Sequence, residues 1–367
     1  MISKLHIENF KAFKELDLNF SNLNVFAGIN GIGKSSVIQS LLLIRQSTVA
    51  VGSPAQFGLQ INGDLINLGT GKDVLHSDSS EDYIKFILDF DNKETLALTC
   101  EYEPKLNILH FKEQIVAWNI EQALFNNEFQ YLGAQRAEPS FYYPMDSYKV
   151  EKLRTLGKYG ELTAHFLAVN KRKEFKSELL YHKNAKSKHL INQVIAWLNE
   201  ISPGVSIDSS LVPDLNLAKV VYSFNSETGY SPDFSPVNVG FGYSYVLPVL
   251  TAILSASSDS LLIIENPESH LHPRGQAVLG LMLGLAAKSG MQLFIETHSD
   301  HIMNGIRIAI KNHDVSKETI RIFFFDREEG ESNTEVYYPS IDNDGRMTNL
   351  PEGFMDEYSK QLDQLIM

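Results

Sequence analysis

Eight consecutive residues, Gly28, Ile29, Asn30, Gly31, Ile32, Gly33, Lys34 and Ser35, follow the pattern G-x-x-x-x-G-K-S. That spacing suits the phosphates of a nucleoside triphosphate. Glycines let successive backbone N–H groups turn inward and approach phosphate oxygens closely. The lysine then reaches the β- and γ-phosphates, the serine hydroxyl ligates Mg²⁺, and Ser36 completes the phosphate-binding set. A helix that starts near Lys34 points the positive end of its dipole at the same anion.

A second group of chemical residues lies far along the chain. The apolar run Leu261 to Ile264 ends in Glu265-Asn266-Pro267-Glu268, and Leu293 to Ile295 runs into Glu296-Thr297-His298-Ser299-Asp300. A carboxylate at the carboxyl end of an apolar strand is placed to hold Mg²⁺ through water, from the side opposite Ser35. His298 falls at the same sheet edge, where open α/β sheets bind ligands, and can sense a γ-phosphate or position water. Ahead of both, Asn238 to Tyr245 is a glycine-rich turn leading into an apolar helix, Val246 to Ala256, again a shape that meets an anion. Two phosphate cradles in one subunit would crowd each other, whereas across a two-fold dimer each turn closes the partner's nucleotide.

These residues need a scaffold, and the sequence indicates one. Leu23 to Ala27 reads as a buried strand before the phosphate loop and Ser35 to Gln46 as the helix after it. Lys4 to Glu8 and Leu16 to Phe20 alternate polar with apolar, as half-exposed strands do, and Leu65 to Leu68 and Tyr83 to Asp89 continue that texture. Met145 to Glu200 reads as helical, from Leu153 and Leu156 and from Ile191, Val194, Ile195 and Leu198 at helical spacing. From Ser260 onward apolar strands alternate with helices: Leu261 to Ile264, a helix Gly275 to Ser289, Gln292 to Ile295, then Ile320 to Phe325. That order indicates a parallel sheet covered on both faces, an α/β fold.

The 367 residues are 43% hydrophobic, enough for a large core in one elaborated domain or two. A formal charge of −13 excludes a protein coated in positive charge, so any nucleic-acid contact is local. The basic exception is Lys171, Arg172, Lys173, Lys176, Lys183, Lys186 and Lys188, opposed only by Glu174 and Glu178. This is a candidate patch for DNA, RNA or a protein partner, and phosphate contacts there would be strongly salt-dependent. The single cysteine, Cys100, excludes an internal disulfide. With neither a signal-like start nor an apolar run long enough to span a bilayer, a cytoplasmic location without membrane contact is expected. The spacing of His270, His272, His298 and His301 does not single out a zinc site, no cysteine joins them, and packing and hydrogen bonding are the expected roles, while Asp342 to Gly345 lacks the closing glutamate of a calcium loop.

Taken together, Ile7-Glu8-Asn9-Phe10-Lys11, the phosphate loop, the Gly240 turn, Glu265 to Pro273 (E-N-P-E-S-H-L-H-P) and Glu296 to His301 (E-T-H-S-D-H) resemble the RecF/SMC and OLD-type branch of ABC ATPases. The resemblance spans nearly the whole chain. It is strongest to compact bacterial ATPases, often defence-associated, whose tails carry a domain of unknown function, here Gly345 to Met347 and Leu350 to Phe354. It implies a P-loop ATPase head with a mixed sheet, divided as N-terminal lobe 1–144, helical insertion 145–204, C-terminal lobe 205–326 and cap 327–367. It implies a homodimer or higher even-numbered assembly around ATP and Mg²⁺. Gly240, Phe241, Gly242 and Ser244 would be the signature turn acting in trans, Glu265 the Walker B acid and His298 the switch histidine. Gln39 and Gln135 are both candidates for the Q-loop glutamine, and Tyr131 to Arg136 resembles a family block near the nucleotide.

Two departures bear on the reaction. Asn266 stands where the family's catalytic glutamate usually follows the Walker B acid, and a carboxamide orients water without taking its proton; either hydrolysis is slow, or Glu268 or another nearby carboxylate is the substitute base. The turn at Gly240 also lacks the family's L-S-G-G-Q lettering. The expected function is an ATPase governing a separate effector, a nuclease or toxin, in nucleic-acid transactions or anti-phage defence. The rival readings are a nucleotide-gated, antitoxin-like scaffold with little hydrolysis and a DNA-repair clamp.

Overall fold

Alternation of buried and half-exposed side chains makes the N-terminal residues a sheet. In β1 (Ile2–Phe10), Ile2, Leu5, Ile7 and Phe10 are buried while Lys4, His6 and Glu8 stay half-exposed, the period-two signature of a strand covered on one side. β2 (Phe13–Asn19) returns antiparallel, setting Leu5 opposite Leu18 and Ile7 opposite Leu16. The computed structural model describes residues 1–49, 58–116, 121–175, 177–226, 229–327 and 334–366.

Next come β3 (Leu23–Gly28), α1 (Lys34–Val49), β4 (Tyr83–Phe90), β5 (Thr95–Glu101) and β6 (Phe111–Val116). The middle of the chain holds β7 (Phe129–Leu132), α2 (Thr163–Asn170), α3 (Leu190–Ile201), β8 (Val205–Val212) and β9 (Leu217–Ser226). It continues with α4 (Phe241–Ser255), β10 (Leu261–Glu265), α5 (Pro273–Lys288), β11 (Gln292–Glu296) and α6 (Asp300–Lys311). β12 (Ile320–Asp326), β13 (Glu335–Tyr337) and α7 (Glu357–Ile366) close it.

Two compact units divide these elements. The first comprises Met1–Asn126, Ile320–Asp342 and Met347–Met367, and the second Asn127–Thr319 with Asn343–Arg346. In the first unit an antiparallel sheet runs β2-β1-β4-β5-β6. β3 pairs in parallel with β12, which pairs antiparallel with β13. Phe26 packs against Phe323 and Phe325, centroids 5.3 and 5.9 Å apart, so the strand that delivers the phosphate loop is anchored by aromatic contacts.

In the second unit β7, β10 and β11 are parallel, with Leu261 opposite both Phe129 and Gln292. Leu261 to Ile264 and Leu293 to Ile295 are almost wholly buried, as expected of a sheet covered on both faces. α6 starts where Ser299 Oγ accepts the Ile302 amide at 3.0 Å, an N-cap that fixes where β11 ends and the helix begins. β8 and β9 form a separate antiparallel pair against which α2 and α3 pack.

Three expectations need correction. The turn expected over Asn238 to Tyr245 is already helical from Phe241, where α4 begins. Leu65 to Leu68 forms no strand: its backbone pairing is a single bridge between Asn62 and Asn67, closed by the Gly63 amide to the Ile66 carbonyl at 2.9 Å, with the Asn62 side-chain oxygen also taking the amides of Leu68 and Gly69, each at 3.0 Å. Between Met145 and Glu200 only α2, α3 and one short turn of π-helix are helical. The lysine-rich stretch between the two helices is turn, pinned by a bridge between Glu174 and His189, and Lys176 lies outside the described residues. No described helix is long and apolar enough to cross a membrane.

The β1–β4 face carries a testable ion cluster. Glu8 accepts from Tyr83 Oη at 2.7 Å and from Lys85 Nζ and His6 Nε2, each at 2.8 Å. Burial alone would raise its carboxyl, but the Lys85, His6 and Tyr83 donors outweigh it and hold the pKa at about 2. A folded value below the unfolded one stabilises the fold above pH 4.5, and that stabilisation is lost as the pH falls toward 2. Discounted for solvent screening of this partly exposed cluster, Glu8→Gln is therefore expected to lower stability by about 1–2 kcal/mol at neutral pH, the difference closing in strong acid. Urea unfolding at both pH values checks it; equal stabilities at neutral pH would show that the cluster contributes nothing.

Candidate functional site

The phosphate loop lies in the first unit, between β3 and α1. Gly28 has φ +135°, and a Cβ there would meet the Phe325 carbonyl oxygen at 2.3 Å; Gly33 has φ +110°, and a Cβ there would meet Phe13 Cζ at 2.7 Å. Only glycine fits either position. Gly31, also at positive φ, opens onto free space, and Ile29, Asn30 and Gly31 are exposed while Ile32 is buried beneath them. The loop thus has a packed underside and an open rim. Lys34 is buried, its ammonium donating to the carbonyls of Gly28 at 3.0 Å and Ile29 at 2.6 Å. The Ser36 amide donates to the Gly33 carbonyl at 2.9 Å, which winds the loop into α1. Ser35 is half-buried at the first turn. This cradle fits a triphosphate: amides on the rim, a cation at its base and a helix N-terminus behind it. Gln39, one turn further, accepts from Lys11 Nζ at 2.8 Å.

The other candidates lie in the second unit. Glu265 ends β10, and both of its carboxylate oxygens have donors: Tyr131 Oη to Oε1 at 2.9 Å and the Ala134 amide to Oε2 at 3.2 Å. Arg136 Nη2 donates to the Glu265 main-chain carbonyl at 2.8 Å. Burial raises the Glu265 carboxyl, opposed by the Tyr131, Ala134 and Arg136 contacts. Desolvation also drives Tyr131 far above the usual phenol range, so it stays a donor. The Tyr131–Arg136 block therefore wraps the strand-end acid, a role the sequence did not reveal because 129 to 134 residues separate the partners. Gln135, within that block, is exposed.

Asn266 takes the left-handed conformation, φ +44°, and its amide donates to the Glu296 carbonyl at 2.8 Å, tying the turn after β10 to the end of β11. Glu268 Oε1 accepts the His298 amide at 3.0 Å. The second unit thus brings Glu265, Asn266, Glu268 and His298 together at the carboxyl ends of two neighbouring parallel strands. The His298 ring is exposed.

Gly240 precedes α4, and Phe241 is exposed beside His270 and Tyr245, with centroids 5.7 and 6.4 Å away. A Cβ on Gly242 would meet the His270 carbonyl oxygen at 2.7 Å, so glycine lets α4 approach the turn after β10. Ser244 points the other way: its buried hydroxyl borders a cavity of about 20 Å³ also lined by Tyr143 and Tyr222, room for a single water. His272 Nδ1 accepts the Arg274 amide at 3.3 Å, so it begins α5. Among the described residues the one grouping of three or more metal-ligating side chains is His6, Glu15 and Asp17, and Asp17 also pairs with Lys4 at 2.6 Å.

Of the basic residues, Lys171 is engaged with Asp208 at 2.8 Å and the Ser209 carbonyl at 2.9 Å. Arg172, Lys173, Lys183, Lys186 and Lys188 are exposed, and Lys186 lies over the Tyr230 ring at 5.8 Å.

Comparison with known proteins accords with this geometry. Residues 1–230 match the AAA ATPase domain family, residues 165–304 a family described as AAA domain, putative AbiEii toxin, Type IV TA system, and residues 315–365 a protein family of unknown function, DUF3696. No curated protein matches the chain. Among solved structures, an SMC head bound to the C-winged helix domain of ScpA is 11% identical with a TM-score of 0.53, covering 92% of this chain and 98% of that one. The Smc head domain with an extended coiled coil bound to the C-terminal domain of ScpA, derived from Pyrococcus furiosus, is 12% identical with a TM-score of 0.50, covering 100% and 99%. Those likenesses establish the fold, a P-loop ATPase head with mixed parallel and antiparallel sheet. Its phosphate loop, its strand-end acid and the family match over its first 230 residues agree: the chain belongs to the AAA ATPase domain family, with the fold of an SMC head.

Proposed function

We propose that this protein is a Mg-ATP-dependent switch that hydrolyses ATP, dimerises around the nucleotide and controls a separate effector protein. The observation that carries the reading is the phosphate loop, where two sterically obligatory glycines and a buried lysine leave an open rim of amides. Lys34 and the loop amides between Gly28 and Ser35 bind the phosphates, with Ser35 and Glu265 as the Mg²⁺ ligands. Bound Mg²⁺ supplies the charge that stabilises phosphoryl transfer. Tyr131 and Ala134 fix the rotamer of Glu265, and Glu268 fixes the loop that presents His298 to the γ-phosphate. Because the Ser244 hydroxyl is turned inward, the amides of Gly240 to Gly242 at the start of α4 serve as the signature donors in trans.

A second reading has a specific observation behind it. Asn266 cannot act as a base, and Glu268 already accepts the His298 amide, so a slow or non-hydrolysing scaffold fits the same residues. The five exposed basic residues from Arg172 to Lys188 are the proposed contact for the effector or for nucleic acid; salt-sensitive DNA binding lost on neutralising them would favour the clamp. The deciding experiment measures ATP turnover by the purified protein, with light scattering with and without Mg-ATP. Turnover with ATP-induced doubling of mass is expected. Tight binding and dimerisation without turnover would replace the hydrolase by the scaffold, and absence of ATP binding would remove both.

A further inference from the structure

The turn after β10 holds an imbalance that the described contacts do not resolve. Arg136 is 2% exposed, and of its three guanidinium nitrogens only Nη2 has a partner, the Glu265 carbonyl; Nε and Nη1 are buried with none. Within the same turn two acceptors, Asn266 Oδ1 and Glu268 Oε2, are likewise buried without a donor at hydrogen-bond distance, although the Thr297 hydroxyl also acts on the Glu268 carboxylate. Buried polar groups left unpaired are costly, and a buried cation is costlier still, so such a group persists where it is used. The four atoms are complementary in kind, two donors and two acceptors, and Arg136 and Glu268 are near enough for each to feel the other's charge. They also converge on one loop, since the other oxygen of Glu268 holds the His298 amide at 3.0 Å.

We propose, resting on the hydrolytic reading above, that Arg136 is a positioning residue for ATP hydrolysis. Its Nη2 edge holds the main chain of Glu265, while Nε and Nη1 engage Glu268 Oε2 and Asn266 Oδ1, directly or through a buried water. One cation then sets three things: the height of the Mg²⁺-ligand carboxylate, the orientation of the Asn266 carboxamide, and, through Glu268, the His298 loop. Arginine suits this because its planar fork presents five donors in fixed directions, whereas an ammonium is a compact point charge. It also accounts for the carboxamide at 266. An amide oxygen beside the guanidinium accepts from it without adding a further negative charge to a turn that already has Glu265 and Glu268.

The test compares wild type, Arg136→Lys, Glu268→Gln and the double variant. Arg136→Lys keeps the charge and loses the fork. The expected result is a ten- to hundredfold fall in kcat, about the scale of losing a residue that orients a metal ligand, with KM for ATP and melting temperature near wild type. The double variant should lose no more than the worse single one, because both changes break the same unit. Amide hydrogen exchange at His298 and Ser299 should accelerate in both single variants without a global change. Wild-type kcat in Arg136→Lys, or unchanged exchange in that loop, would overturn the proposal. Should Arg136→Lys not fold, Glu268→Gln leaves the cation in place and must shift the Arg136 Nε–H resonance; no shift overturns it equally. If wild type has no turnover, the hydrolytic reading falls and the exchange and resonance measurements still decide whether Arg136 sets this turn.

Discussion

Lys34→Ala is expected to weaken Mg-ATP binding by at least about a hundredfold. A hydrogen bond between charged partners contributes about 1.5–3 kcal/mol, and the ammonium can make more than one to a triphosphate, so the loss reaches roughly two decades in Kd. The same change removes the donor held by the Gly28 and Ile29 carbonyls, at 3.0 and 2.6 Å, inside a loop whose lysine is 3% exposed. The loop of the variant is therefore less well braced even without nucleotide, and a small drop in melting temperature accompanies the binding defect. Lys34→Arg separates the two effects. It keeps a cation yet puts a planar fork where a compact head fits, so it should fold and still bind poorly. Calorimetric titration of Mg-ATP checks both variants, and tight binding retained by Lys34→Ala would overturn the phosphate-loop assignment.

Where the sequence was legible, the structure owes most to local rules. The phosphate loop combined a pattern, a preceding apolar strand and a following helix, and β3 and α1 lie within a residue or three of the runs that pointed to them. β10, β11 and β12 were equally plain, because strands covered on both faces are continuously apolar and end where a polar residue first appears. Glu265 stands at such a strand end, whereas His298 lies two residues beyond Glu296, and both become candidates only in conjunction with the phosphate loop and the order of the motifs. What stayed hidden depends on contacts distant in sequence or on side chains replacing backbone. Nothing near Tyr131 indicates that its hydroxyl meets a carboxylate 134 residues away. Asn62 looks like any loop asparagine until its side chain takes the Leu68 and Gly69 amides and tightens a hairpin-like turn that carries one bridge and no strand. α4 shows the same limit. The glycine-rich stretch Asn238 to Tyr245 reads as a turn ahead of a helix at Val246, yet the helix starts at Phe241, and a Cβ at Gly242 would meet the His270 carbonyl oxygen, a contact distant in sequence.

Glu265→Gln is expected to abolish turnover, by about a thousandfold, while leaving nucleotide binding within a few-fold of wild type. The substitution preserves shape, and the surroundings dictate how the new amide sits. The Ala134 amide can only donate, so it selects the carboxamide oxygen; the NH₂ then meets Tyr131, whose hydroxyl can turn and accept. Both contacts survive and the fold with them. The negative charge does not survive, and Mg²⁺ binds through charged oxygen ligands and waters, so its affinity falls with that charge. Several kcal/mol of transition-state stabilisation depend on the metal, which is the thousandfold. Arg136 provides an internal check. In wild type burial lowers its pKa to about 10 while Glu265, the largest opposing charge, pulls it back up; removing that carboxylate leaves a buried cation with less compensation, so the variant should also be slightly less stable. Turnover measured across a Mg²⁺ series distinguishes the causes. Activity recovered at high Mg²⁺ places the defect in metal affinity, activity absent throughout places it in the chemistry, and activity equal to wild type removes Glu265 from the site.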